Sequence, residues 1–359
     1  MERARRRPLL WLLAALALFA LGGLLARACG GPEEVARRPP PPLPRHLRPA
    51  EARRMEQRQT LPVPALPSER ARPRDPVLTA LAAPDAGTAL VFEANALRNS
   101  PVGQLLLDCL AASRPGADGG PSALESVREL GVDPLQDVDR VAVGDDGVVI
   151  SGDFGRARWD AVFAGSTPTP YGSQGQLYRV PTGDGGAGPV VASWGGQLLV
   201  VAQDEASAQA TVDRVEGRLP VGQVLRDDQA YGDVYGVLQG ERLNGLFGPA
   251  DGPLGGQVRE AAKSVEVHLD ATRDVGLVAN VKGDDPARLE DLGKALGGAL
   301  AAARARAVAS GNAEDAELLE YARVVPGKQG FSLEMAVPYE VLRARLAHCG
   351  RQAGADAGR

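Results

Sequence analysis

The architecture follows from residues 141–162, which read VAVGDDGVVISGDFGRARWDAV. Apolar residues alternate on either side of Gly144-Asp145-Asp146-Gly147, and an Asp-Gly pair between two alternating runs is typical of a β-hairpin. The hairpin ends at Gly152-Asp153 and leads into a segment where Trp159 and Phe163 are four residues apart, as on one face of a helix. The stretch therefore predicts two antiparallel strands that run into a short helix.

A second stretch later in the chain repeats this pattern. Residues 267–292 read VHLDATRDVGLVANVKGDDPARLEDL, again a hairpin that ends in Gly-Asp and runs into a helix. Residues 197–212, QLLVVAQDEASAQATV, correspond in the same way to residues 331–346, FSLEMAVPYEVLRARL, each a strand followed by a helix. Matching units in the same order indicate an internal duplication. We therefore predict an α+β fold with two related split β-α-β-like halves, each an antiparallel sheet with helices on one face.

With this layout, residues 88–348 resemble a group of exported, membrane-tethered bacterial proteins that contain duplicated strand–helix–hairpin–helix modules. The resemblance lies in the order of the elements and in the two junctions where Gly-Asp leads into a helix. That group has no assigned activity. The resemblance therefore implies an envelope protein and no catalytic residue.

The N-terminal part of the sequence predicts a membrane location. Leu9 to Ala26 is an apolar run which, at about 18 residues, is close to the minimum for a membrane-spanning helix. Arginines at positions 3 and 5–7 precede the run, and basic residues favour the cytoplasmic side. We therefore expect a single-pass protein of the bacterial inner membrane, with its N-terminus inside and its body in the periplasm or outside.

The sequence around Cys29 leaves the fate of this segment open. Its length favours an uncleaved signal anchor. Ala26-Arg27-Ala28 also fits an A-x-A cleavage site before Cys29, which would give an exported soluble protein. Cys29 could instead be a lipidated N-terminal cysteine, although Ala26 and Arg27 match a bacterial lipobox poorly.

A proline-rich stretch follows the anchor. Residues 39–42 are all proline, and further prolines recur as far as Pro76 without apolar periodicity. Such a chain cannot build a core and remains semi-extended. The sequence therefore divides into a membrane segment at 1–29, a disordered Pro/Arg-rich linker at 30–76, a first α+β half at 77–218, a second half at 219–349 and a flexible tail at 350–359.

Charge is distributed unevenly along the chain. The formal net charge is −5, yet residues 1–75 hold 15 arginines against 7 acidic residues, so the body is strongly acidic. An acidic body argues against nucleic acid as a partner, because phosphate neutralisation requires a basic face. We expect the body to meet another envelope protein or a cell-wall polymer, with the membrane as the partner of Leu9 to Ala26. The sequence predicts no cofactor.

Two cysteines lie in the body, each near the end of a predicted helix. In an oxidising compartment Cys109 and Cys349 could form a disulfide that ties the start of the body to its end. The alternative is two separate thiols. Neither belongs to a CxxC pair or to a Cys/His cluster with zinc spacing, so no metal site is predicted.

Signals for catalysis are weak throughout the sequence. His46 lies in the linker, His348 in a predicted last helical turn, and His268 in a predicted strand where it shares a face with Glu266 and Asp270. None adjoins a nucleophile motif such as G-x-S-x-G. We therefore predict no catalytic residue and treat His268 as structural.

The sequence favours a non-catalytic binding or scaffold module. A binding surface is predicted from the few large aromatic residues of the body, Trp159, Tyr171, Tyr178 and Trp194. The alternatives are a hydrolase with an unfamiliar carboxylate-based site and a carrier of a lipid-like ligand. A hydrolase requires polar side chains that converge in one pocket with perturbed ionisation, whereas a carrier requires a deep apolar cavity against the sheet.

Overall fold

The computed structural model describes residues 75–81, 87–112, 132–133, 136–159, 163, 166–180, 188–220, 225, 229–239, 253–327 and 330–346. Leu9 to Ala26, Cys29, nearly the whole linker, Cys349 and the tail lie outside these ranges. None of the helices in the described ranges is both long enough and apolar enough to cross a membrane.

Twelve strands form one antiparallel sheet. The strands are β1 (Ala89–Phe92), β2 (Val138–Gly144), β3 (Gly147–Gly152), β4 (Thr169–Tyr171), β5 (Gly175–Arg179), β6 (Val190–Trp194), β7 (Leu198–Ala202), β8 (Val234–Gln239), β9 (Ser264–Asp270), β10 (Val275–Lys282), β11 (Ala322–Gly327) and β12 (Gly330–Val337). Their order is β11-β12-β10-β9-β8-β1-β2-β3-β7-β6-β5-β4. We call the contact of β1 with β8 the seam, β1–β7 the first half and β8–β12 the second half.

The order of strands outward from the seam is the same in both halves. The first half runs β1, β2, β3, β7, β6, and the second runs β8, β9, β10, β12, β11. Each half therefore places its first three strands in sequence order, then its last strand, then the strand before it. The first half adds the hairpin β4–β5 at its outer edge. Both hairpins predicted from the sequence, β2–β3 and β9–β10, occupy the same place in this order.

A glycine allows close approach of the strands at the seam. Gly236 of β8 lies opposite Leu90 of β1. A Cβ atom at position 236 would come within 2.1 Å of the Ala89 carbonyl oxygen, which is inside van der Waals contact. A larger residue at this position would force β1 and β8 apart, and with them the two halves.

Eight helices occur in the described residues, and several begin as the sequence predicts. Asp285 caps the longest helix by accepting hydrogen bonds from the Ala287 and Arg288 amides, with Pro286 at the first helical position. Asp204 caps another through the Ser207 amide. The helices are α1 (Pro76–Ala80), α2 (Ala94–Arg98), α3 (Pro101–Ala112), α4 (Glu205–Val215), α5 (Pro253–Ala261), α6 (Pro286–Ala309), α7 (Ala313–Glu320) and α8 (Tyr339–Leu346).

One row of cross-strand neighbours shows how the character of the sheet changes at the seam. We call the face that contains this row face A and the opposite face B. In the first half the row is apolar, and beyond Tyr235 at the seam it becomes largely polar. From β5 to β11 the residues of the row are Leu177, Ala192, Val200, Val149, Ala142, Val91, Tyr235, His268, Val278, Glu334 and Arg323.

The prediction placed helices on one face of each half, and in the structure the covered face is face A in the first half and face B in the second. Helices α1 and α4 pack on face A of the first half, where Val212 and Val215 belong to its core cluster. Helices α5 and α6 pack on face B of the second half, and α3, α7 and α8 form a neighbouring cluster on the same face. The physical reason is the position of the large apolar residues: β7 directs Leu198 and Val200 to face A, whereas Phe331, Leu333 and Met335 of β12 lie on face B.

Candidate functional site on the polar face of the second half

The four aromatic residues predicted to form one binding surface lie on two faces of the sheet. Tyr171 and Trp194 lie on face A and pack against the first-half core. Tyr178 lies on face B, where its ring centroid is 4.7 Å from that of Phe163. The Phe163 ring in turn stacks on Trp159 at 5.9 Å. The structure therefore brings these residues together as two separate pairs.

Tyr171 is held by the end of helix α4. Its hydroxyl donates to Asp213, with both carboxylate oxygens at 3.0 Å. Arg218 pairs with the same carboxylate, and its guanidinium carbon lies 5.2 Å from the Tyr171 ring centroid. The polar end of Tyr171 is therefore engaged within the chain.

Trp194 is fixed in a similar way by Glu216. Glu216 Oε1 accepts hydrogen bonds from Trp194 Nε1 at 2.9 Å and from the amide and hydroxyl of Ser173, each at 2.8 Å. Burial opposes ionisation of Glu216, but these bonds and the charge of Arg218 outweigh it and hold the pKa of Glu216 below its usual value. These contacts fasten the β4–β5 turn and β6 to the end of α4, which is a structural role.

A second group of polar residues lies on face A of the second half, where the described helices pack on the other side. Antiparallel sheets commonly cover one face with helices and present polar residues on the other. Here the polar residues span four strands. We call this surface the polar platform. Its polar residues are Ser264, Glu266 and His268 of β9, Asn280 and Lys282 of β10, Ser332 and Glu334 of β12, and Arg323 of β11, and Val278 of β10 and Val325 of β11 lie among them.

Glu266 and His268 form the inner part of the platform. His268 is 4% exposed, and its Nε2 lies 3.0 Å from Glu266 Oε1. The other carboxylate oxygen accepts from Lys282 Nζ at 2.7 Å and from Gln229 Nε2 at 3.2 Å. The Tyr231 ring stacks on the imidazole with centroids 3.8 Å apart and planes 6° from parallel. The segment that precedes β8 and the strands β9 and β10 therefore all contribute to this cluster.

The outer part of the platform contains an amide, a hydroxyl and an ion pair. Ser332 Oγ donates to Asn280 Oδ1 at 2.7 Å. Arg323 binds Glu334 Oε2 through Nε at 2.8 Å and through Nη2 at 2.7 Å. The Glu334 side chain is 7% exposed and that of Arg323 59% exposed, so the carboxylate lies beneath the guanidinium. Lys282 covers Glu266 in the same way, with 50% of its side chain exposed against 12%.

The ionisation of Glu266 limits the chemistry of the platform. The hydrogen bond from His268 lowers the pKa of Glu266 to about 2, against the effect of burial and with help from Lys282 and Gln229. A general acid or base works best with a pKa near the working pH. Glu266 is therefore a fixed anion that orients its neighbours and a poor proton carrier. No cluster of metal-ligating side chains occurs within the described ranges.

A cavity beside Arg214 is too small for an organic ligand. It lies between α1, the β2–β3 turn and α4, with a volume of about 20 Å³. That is the space of a single water molecule. Arg214 Nε donates to the Ala80 carbonyl oxygen at 3.1 Å, and its Nη2 donates to Thr211 at 3.0 Å. The cavity therefore lies in the packing between helices and does not form a binding pocket.

The cysteine predictions fall at the limits of the described residues. Cys109 lies in α3, and Cys349 and Cys29 lie outside the described ranges. Helices α3 and α8 belong to one apolar cluster, in which Val102 and Leu105 join Val341 and Leu342. The disulfide remains a prediction.

Comparisons with known proteins identify no family. No protein family and no curated protein matches this chain. A solved structure, crystal form I of TP0453, is similar over 76% of this chain and 96% of its own, with 12% identity and a TM-score of 0.38.

Sequence reasoning placed Glu266 and His268 on one face and missed the rest of the platform. Asn280, Ser332 and Glu334 alternate with apolar residues in strands whose other face is buried, and this alternation was the available signal. Their neighbourhood depends on the order β9-β10-β12-β11, which local sequence does not specify. Tyr231 and Gln229 carry no pattern at all, because they belong to the connection that crosses to β8.

Proposed function

We propose that this chain is a membrane-tethered, non-catalytic binding module built from two duplicated α+β halves, and that its polar platform binds a hydroxyl- and amide-rich cell-wall polymer. The basic N-terminal segment and the proline-rich linker would hold the acidic body away from the bacterial inner membrane. The observation that carries the proposal is the platform itself, a polar four-strand surface on the face opposite the described second-half helices.

The charges of the platform favour a neutral partner. Two carboxylates, Glu266 and Glu334, lie beneath two exposed cations, Lys282 and Arg323. The formal charges of these four residues cancel, so the platform offers little attraction for a polyanion. Between the two pairs lie the Asn280 amide and the Ser332 hydroxyl, which can both donate and accept hydrogen bonds. Such a surface suits sugar hydroxyls and acetamido groups.

The low pKa of Glu266 supports a binding role over the competing carboxylate hydrolase. The two carboxylates of the platform hold the partly exposed side chains of Lys282 and Arg323 in place. Because these side chains are already held in place, less side-chain entropy is lost when a partner binds. The cavity beside Arg214, which lies among the described residues, holds only one water molecule and offers no site for a lipid-like ligand.

Co-sedimentation with purified peptidoglycan sacculi tests the proposal. The body should sediment with sacculi in a saturable way. The double variant Lys282→Ala, Arg323→Ala should bind at least about tenfold more weakly, because it removes two charge-assisted hydrogen-bond donors worth roughly 1.5–3 kcal/mol each.

The double variant Arg179→Ala, Lys294→Ala is the matched control. Both residues are exposed cations paired with a carboxylate, Arg179 with Glu205 and Lys294 with Glu290, and both lie outside the platform. The control should bind as the unchanged chain does. Equal binding by the platform variant, or no binding by the unchanged chain, would overturn the proposal.

Fractionation tests the membrane tether separately. The full chain with a C-terminal tag should be recovered with the inner membrane, with its tag accessible from the periplasm. A chain that lacks residues 1–29 should remain in the soluble cytoplasmic fraction. Recovery of the full chain in that soluble fraction would contradict the tether and leave the sacculus result unaffected.

A further inference from the structure

His268 connects the platform to the segment that joins the two halves. Residues 229–233 run toward the first residue of β8, and we call them the crossover. The Tyr231 ring covers the imidazole, and the Tyr231 carbonyl oxygen lies 3.2 Å from His268 Nδ1. The crossover is also held at Gln229, through Glu266, and at Asp233, whose Oδ2 accepts the Ala271 amide at 2.7 Å.

Both ring nitrogens of His268 face hydrogen-bond acceptors. Nδ1 faces a backbone carbonyl and Nε2 faces a carboxylate oxygen. A neutral imidazole has one N–H donor and one lone pair, so it can satisfy only one of these acceptors. Only the doubly protonated ring donates to both. Both acceptors therefore receive a hydrogen bond only when His268 is a cation.

The two protons of the ring are held unequally. The proton on Nε2 points at Glu266, an ionised carboxylate, at 3.0 Å. The proton on Nδ1 points at a neutral carbonyl at the longer distance of 3.2 Å. Charge-assisted hydrogen bonds are about twice as strong as neutral ones. Loss of one proton therefore removes the Nδ1 proton and leaves the bond to Glu266 in place.

Several titratable and charged groups of the described strands and of the crossover surround His268. The groups that face it are Glu266 and Asp270 of β9, Tyr235 of β8, Lys282 of β10, Glu334 of β12, and Tyr231 and Asp233 of the crossover. The Tyr235 hydroxyl is directed to Glu93 at 2.8 Å.

We propose that His268 is a proton-dependent clamp: the imidazolium binds the Tyr231 carbonyl and holds the middle of the crossover over the platform, and loss of the Nδ1 proton breaks that bond and lets the crossover open at Tyr231, between its anchors at Gln229 and Asp233. Histidine is the side chain whose charge ordinarily changes between about pH 5 and 8. Release would uncover His268 and Glu266 at the inner end of the platform. This inference stands on the contacts of His268 and does not depend on the proposed ligand.

Nitrogen-15 NMR of the full chain in detergent tests the proton assignment directly. His268 should titrate to the Nε2–H tautomer on the alkaline side. The Nδ1–H tautomer there would overturn the proposal, because the crossover bond would then survive deprotonation. This measurement needs no substitution.

Hydrogen–deuterium exchange tests the release. Across the His268 titration, protection of residues 229–233 should fall about fivefold after correction for intrinsic exchange, the change expected for one hydrogen bond of about 1 kcal/mol. Helix α6 should show no such step. In His268→Gln, which cannot titrate, the step should disappear. An unchanged crossover in the unaltered chain, or the same step in His268→Gln, would refute the clamp.

Discussion

The Tyr235 hydroxyl donates to Glu93 Oε1 at 2.8 Å, so that a strand of one half is bonded to the end of a strand of the other. Tyr235 is fully buried at the seam. Tyr235→Phe should lower the free energy of unfolding by about 1–2 kcal/mol, because the half-buried Glu93 carboxylate loses a donor. Urea unfolding of the two proteins would measure this difference in the free energy of unfolding. Tyr339→Phe, at the half-buried start of α8, is the control and should change stability less.

Two helices begin at an Asp-Pro pair, and only one of the two capping aspartates also pairs with a buried arginine. Asp75 caps α1 and also pairs with Arg140, whose side chain is 8% exposed. Asp285 caps α6 at an exposed site. Asp75→Ala should cost about 3–5 kcal/mol, because it leaves a buried cation unpaired. Asp285→Ala should cost only about 1 kcal/mol, the usual value of a cap. Similar losses in the two variants would show that Arg140 finds another partner.

Acid should weaken the fold through Glu266. Its pKa falls from 4.5 to about 2 on folding, so the ionised carboxylate stabilises the folded state above about pH 4.5. That contribution is lost as the pH falls from about 4.5 through about 2. Urea midpoints should therefore decline over this range, and Glu266→Gln should decline less. Glu290→Gln, on an exposed helix surface, should follow the unchanged chain.

Glu216 should control the environment of Trp194. Glu216→Ala removes the acceptor of the indole N–H and of the Ser173 groups, and should destabilise the chain by about 1–3 kcal/mol. Tryptophan emission should shift to the red as water reaches the ring. The measurement is made in Trp159→Phe to reduce background. An unshifted spectrum would show that packing alone holds Trp194.

The disulfide prediction can be decided by thiol counting. Helix α3, which contains Cys109, and helix α8, which ends at Leu346, share one apolar cluster, and Cys349 follows α8 in the sequence outside the described residues. Protein oxidised in the periplasm should show no reaction at these two thiols until it is reduced, and peptide mapping should recover the linked pair. Cys109→Ser should then expose one free thiol at Cys349. Two reactive thiols without reduction would exclude the bond.

Local sequence predicted the strands well, but it did not predict which face of the sheet the helices of each half cover. The Asp-Gly turn at 145–147 and the Asp285-Pro286 start are local signals, and both features lie where they were expected. The face on which a helix packs depends on the strands it meets. The β7 and β12 strands were aligned correctly, yet α4 and α8 follow them onto opposite faces.

The candidate site was hard to predict for a related reason. The aromatic residues stood out in the sequence because they are rare, but their polar atoms are used within the chain. The platform consists of common residues such as Asn280 and Ser332, whose meaning arises from the strands beside them. Polar residues at alternate positions of a strand predict a polar face of the sheet. The order of the strands decides which of these residues become neighbours.

The two outer strands of the sheet have one more consequence. The sheet ends at β4 and at β11, and each of these strands contains a proline, Pro170 in one and Pro326 in the other. Proline has no N–H to offer a neighbouring chain, so both margins are poor templates for further strand addition. A sheet of this width would otherwise be prone to polymerise edge to edge. Pro170 and Pro326 thus leave each outer strand with one backbone donor fewer for a neighbouring copy of the chain.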